Sequence, residues 1–142
     1  MKNAYRTASA AAILALLLIA PAGLKAQISR APGVTLKSLD PAMVDNVLRS
    51  SNGATHATIK FVNQSGSAVD IYWINYDGHR VLYYRGLAPN STWTADTFLT
   101  HPWLIIASGS GGTTVSGTGV RLGGFQALTA NGDTAIIASP NR

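Results

Sequence analysis

Few side chains in this chain could do covalent or acid–base chemistry, and they lie far apart. The titratable candidates are His56, His79 and His101 with six carboxylates, all of them Asp; the chain has no cysteine. His101 could activate Thr97 or Ser108 as a nucleophile. No G-x-S-x-G elbow supports that chemistry, because Ser108 stands where the first glycine would precede Ser110. The histidines are more than twenty residues apart, which is not the tight spacing of a His-based metal site. The stretch 108–119 (SGSGGTTVSGTG) is glycine-rich but lacks the lysine of a phosphate loop. Gly117-Thr118-Gly119 is followed by Gly123, one residue too late for a dinucleotide fingerprint. These gaps predict no catalytic residues, no metal and no cofactor.

Recognition fits the chain better than catalysis. It carries three Trp and five Tyr, and Trp73 and Trp103 lie in strand-like segments close to other aromatic and hydroxyl-bearing residues. Taken alone, either Trp is equally well explained as core filling, since sandwiches commonly bury a Trp between sheets. His101 precedes Pro102, which forces extended backbone and also suits a structural histidine.

The elements that must position these residues are strands. Apolar alternation places Ala57, Ile59 and Phe61 on one face, with Thr58 and Lys60 on the other. Val69, Ile71 and Trp73 share a face opposite Asp70, Tyr72 and Ile74. Asp77-Gly78 is a hairpin signal, because Gly accepts positive φ without steric cost, and 80–84 (RVLYY) is the return strand. Further strands are predicted at 92–98, 103–107, 120–128 and 134–138, with Asn131-Gly132 turning between the last two. Seven short strands at this spacing predict an all-β sandwich. Ahead of them, Asp40-Pro41 is a helix start, and Met43, Val44, Val47 and Leu48 recur at helical spacing, predicting a helix over 41–49.

The N-terminus reads differently. Lys2 and Arg6 precede an apolar run from Ala10 to Ala20, Pro21 and Gly23 break it, and Leu24-Lys25-Ala26 offers a cleavage site. The run is too short for the roughly 20 residues of a membrane span. Residues 1–26 are therefore predicted to be a cleaved signal peptide, 27–56 a lead-in with the helix, and 57–139 the β domain. The expected location is periplasmic or extracellular, without stable membrane insertion after cleavage. The formal charge of +5 overstates the folded part, because three of the eleven basic residues lie in that leader. The remaining basic residues are scattered, so nucleic acid is not an expected partner.

Three pieces carry a family resemblance: Trp73-Ile74-Asn75-Tyr76-Asp77-Gly78, Tyr84 followed by Leu87-Ala88-Pro89, and Thr97-Phe98-Leu99-Thr100-His101-Pro102-Trp103. With their order and spacing, the segment Thr58 to Ala138 resembles the von Hippel-Lindau β-domain family. The resemblance implies a seven-stranded sandwich that binds an extended peptide containing 4-hydroxyproline. By position it assigns Trp73 and Trp103 as pocket walls, Tyr84 as the tyrosine, Thr97 at a serine position, and His101 as the histidine. Tyr83 takes the place of Tyr84 if a one-residue insertion lies elsewhere. Trp93 and Asp96 replace a basic residue and a histidine that flank the pocket in the family. The family's elongin-recruiting helical domain has no counterpart, and its cysteine-containing docking box cannot exist without cysteine. No ubiquitin-ligase partner is expected.

Those five types suit one ligand. A hydroxyproline ring is apolar and rigid enough to stack on Trp. Its hydroxyl needs a donor and an acceptor, which His and Thr supply. The alternative is a structural or accessory envelope protein whose pocket is vestigial.

Overall fold

The computed structural model describes residues 31–109 and 119–139. The signal peptide expected at 1–26, and nearly all of the Gly/Ser/Thr loop, lie outside the described residues. The chain forms β1 (Thr35–Leu36), α1 (Pro41–Asn46), β2 (His56–Gln64), β3 (Val69–Ile74), β4 (Arg80–Leu87), β5 (Thr92–Phe98), β6 (Pro102–Ala107), β7 (Arg121–Gln126) and β8 (Asp133–Ala138). Two four-stranded sheets face each other, in the orders β1-β8-β2-β5 and β4-β3-β6-β7. This is an all-β sandwich, with one short strand more than the seven that periodicity predicts.

The alternation of β2 works as read. Ala57, Ile59 and Phe61 are fully buried between the sheets, with Ile71, Trp103, Ile105, Phe125 and Ile137. β3 and β6 are buried on both faces instead. Their outer side carries Tyr72, Ile74, Leu104 and Ile106, which pack beneath Val44 of α1 together with Leu39, Leu48 and Leu82. That double burial is why 103–107 (WLIIA) is apolar at every position. The helix is seated closely: a Cβ on Gly124 of β7 would lie 2.3 Å from Val44 Cγ2. Asp45, on the same helix, pairs with both Arg80 and Arg121.

The helix ends at Asn46, before the predicted 49. The N–H groups of Val47 and Leu48 both close on Met43 O. The chain must then leave the helix so that Ser50 can reach β3: Ser50 N donates to Asn75 O and Ser50 Oγ to Ile74 O at 2.6 Å. Strand β1 has no periodic signal because it is held from outside. It pairs in parallel with β8, and the buried Asp133 carboxylate accepts from Val34 N at 3.0 Å.

Candidate functional site

β4 and β5 each form one edge of their sheet, and aromatic rings bridge them. Tyr84 of β4 lies 5.2 Å from Trp93 of β5, centroid to centroid. Trp93 stacks on Phe61 and meets Trp103 edge-on. On the neighbouring pair, Trp73 of β3 stands directly opposite Trp103 of β6.

Four of the five residues singled out from the sequence come together here. The Trp103 indole N–H donates to Thr97 Oγ1 at 2.9 Å. His101 tilts against Trp73 at 5.2 Å. Tyr84 is the one set apart: it lies on Trp93 and packs with the main core. Tyr83 takes its place, touching Trp73 at 5.9 Å and Trp103 at 5.1 Å, edge-on to both. The cause is a β-bulge. Ile71 pairs with Tyr84 and Tyr72 with Leu82, leaving Tyr83 as the extra residue. A bulge re-aims a side chain in this way.

Burial grades the cluster. Trp103 and Thr97 are sealed, at 1% and 2% exposure, and His101 is at 7%. Trp73 is half-buried, and Tyr83 is half-exposed at 51%. Trp103 and Thr97 therefore form a floor, Trp73 a wall, and Tyr83 an open rim. Both indole N–H groups are already satisfied within the protein, since Trp73 Nε1 donates to Ser50 Oγ at 2.7 Å. Of the two, only the half-buried Trp73 has ring surface to offer a ligand. Thr97 Oγ1 has accepted one bond, so its own proton and a second lone pair remain. Burial holds the His101 imidazole below its ordinary value, so the ring is neutral at pH 7.

Beside His101 lies a cavity of about 190 Å³, lined by Ser51, Asn52, Gly53, Ala54, Tyr76, Phe98 and His101. Of the five predicted residues only His101 lines it. Tyr76, Phe98 and Ser50 were missed as site residues. Tyr76 and Phe98 stand inside the very motifs that carry the resemblance, and each adjoins a predicted residue, Phe98 in sequence and Tyr76 through space. Tyr76 projects from the β3–β4 turn. Asn75 fixes that turn by accepting from Asp77 N and His79 N, and Gly78 supplies φ of 82°. Tyr76 packs edge-on against Trp73 at 5.5 Å and His101 at 5.6 Å. Phe98 lies 5.0 Å from His101.

Among the described residues no three His, Cys, Asp or Glu side chains are grouped to hold a metal ion. The arrangement has ring faces, one hydroxyl and one neutral imidazole, which suits binding of a small ring bearing an oxygen. A family model, that of the VHL beta domain, matches residues 48–120, just over half of the chain. No curated protein matches it in sequence.

Proposed function

The chain belongs to the VHL beta domain family, a protein-binding module, and on that premise we propose that it is an exported protein which takes an extended peptide bearing 4-hydroxyproline. The observation that carries this reading is the assembly of Trp73, Tyr83, Thr97, His101 and Trp103 around one small region between β4 and β5. The ring of the imino acid would enter past Tyr83, lie against Trp73, and bring its hydroxyl towards Thr97 and His101. A site built around that hydroxyl rejects plain proline, because its own buried polar groups would be left unpaired. The peptide backbone would run along the exposed edges β4 or β5, adding main-chain bonds that do not depend on sequence. No catalytic step, metal or cofactor enters this reading, nor any ubiquitin-ligase partner. Export is supported by the composition of residues 1–26.

Titration calorimetry of the protein with matched hydroxyproline and proline peptides tests the proposal. Preference for the hydroxylated peptide supports it, and His101→Ala should abolish that preference while leaving the domain folded. Equal affinity for both peptides, or none for either, ends it.

One observation favours the competing reading of an accessory envelope protein with a vestigial pocket. Thr97 and Trp103 are sealed and bonded to each other, as a purely structural pair would be. Under that reading the two peptides behave alike, and His101→Ala perturbs stability more than binding.

A further inference from the structure

We propose that Tyr76 is a positioning residue that fixes the proton of His101 on Nδ1, so that the imidazole presents a ligand with an N–H donor. The Tyr76 hydroxyl lies 3.4 Å from His101 Nε2. Two directions are open to that contact, and chemistry chooses between them. A phenol is a good donor and a poor acceptor, whereas a neutral imidazole has one nitrogen that only accepts. The bond therefore runs from Tyr76 O–H to Nε2, and the single ring proton sits on Nδ1.

Tyr76 is held in place to do this. Its edge rests on Trp73, and its backbone belongs to the turn clamped by the Asn75 side chain. His101 is held as well, between Trp73 and Phe98, with its backbone N–H on Phe98 O. No carboxylate pairs with His101 among the described residues, so nothing nearby draws a second proton onto the ring. Among the described residues Nδ1 has no hydrogen-bond partner. Among the described residues no side-chain nitrogen or oxygen is both fully sealed and unpaired, so Nδ1 of this largely buried ring retains some exposure. At 3.4 Å the bond is weak, but it has only to outweigh the small difference between two neutral tautomers. A net hydrogen bond at the low end of the usual range shifts their ratio by about twofold.

The consequence for recognition rests on the function proposed above. With His101 as donor, the ligand oxygen must accept from it. The proton of a ligand hydroxyl then goes to the lone pair that Thr97 Oγ1 keeps free of Trp103.

The test reads the proton directly and needs no ligand. In the 15N-labelled protein near neutral pH, long-range proton–nitrogen spectra report each ring nitrogen of His101, assigned by its disappearance in His101→Gln. The expected result is a protonated Nδ1 and a bare Nε2, moving towards the Nε2–H form in Tyr76→Phe. That variant keeps the ring, and residue 76 is 44% exposed, so the fold is retained. A wild-type His101 protonated on Nε2, or the same spectrum in Tyr76→Phe, overturns the proposal. Tyr76→Phe should also weaken binding of a hydroxyproline peptide by about twofold. Wild-type protein that ignores the peptide would end the functional reading, and the tautomer result would still decide the role of Tyr76.

Discussion

Replacing Thr97 by valine removes one oxygen at nearly constant shape, and two consequences can be separated. Thr97 and Trp103 are 2% and 1% exposed, and the hydroxyl is the acceptor for the Trp103 indole N–H at 2.9 Å. In Thr97→Val that N–H stays buried with nothing to accept it. An orphaned buried donor costs about 1–3 kcal/mol. Urea midpoints should therefore fall by on the order of 1 M, for a slope of about 1–3 kcal/mol per molar. Thr97→Ser behaves differently. It keeps the acceptor and removes one methyl, worth about 1 kcal/mol of burial, and loosens the packing beside Trp103. Calorimetry should then show tighter binding of a hydroxyproline peptide to Thr97→Ser, and lost discrimination in Thr97→Val. A Thr97→Val protein as stable as wild type would refute the claim that Trp103 relies on this hydroxyl. Unchanged peptide preference in both variants would refute the claim that Thr97 meets the ligand.

Tyr83→Ala should change stability by about 1 kcal/mol or less, because the side chain is half-exposed, yet weaken peptide binding. Tyr84→Ala should do the reverse, costing about 2–4 kcal/mol through its packing on Trp93; chemical denaturation and calorimetry run in parallel separate the two. Burial pushes the Asp133 carboxyl up, but bonds from the Thr129 hydroxyl and from the N–H groups of Val34, Thr129 and Leu128 hold it below its ordinary value. Its contribution is thus fully present above the unfolded carboxylate pKa near 4 and fades as pH falls through the lower folded value; Asp133→Asn should flatten the acid limb of a stability–pH curve. Gly124→Ala would drive a methyl into Val44 and should destabilise by about 1–3 kcal/mol, visible as a lower melting temperature.

The parts of the fold that could be read in advance are those where one face meets water. The alternation through Lys60 fixes the orientation of β2, and Asp77-Gly78 marks the turn between β3 and β4, because each signal is local. Strand β1 has no such signal: its two residues are held by β8, and Val34 just ahead of them by the Asp133 carboxylate, nearly a hundred positions away. The helical spacing of Val47 and Leu48 overruns the helix end, because the position of Ser50 beside β3 is a tertiary demand. The choice between Tyr83 and Tyr84 shows the limit most clearly. A one-residue insertion decides between them and leaves no local mark; only the register shift between Ile71 and Tyr72, one of two along this strand pair, says that Tyr83 is an extra residue. Tyr76 carries no mark of its role in the sequence, because a hydroxyl's worth depends on what it faces.

The short helix on the back of β3 and β6 sets the limits of any fragment one would choose to work with. A piece trimmed to positions 48 and 120 would keep the rings between β4 and β5 but lose the lid over Tyr72, Ile74, Leu104 and Ile106. It would also lose β7, and β8 from beside β2. Such a fragment would present an oily flank and a bare strand border, and would clump before it could be assayed. The boundaries of a useful expression clone lie upstream of Thr35 and downstream of Ala138, wider than the stretch that carries the family likeness.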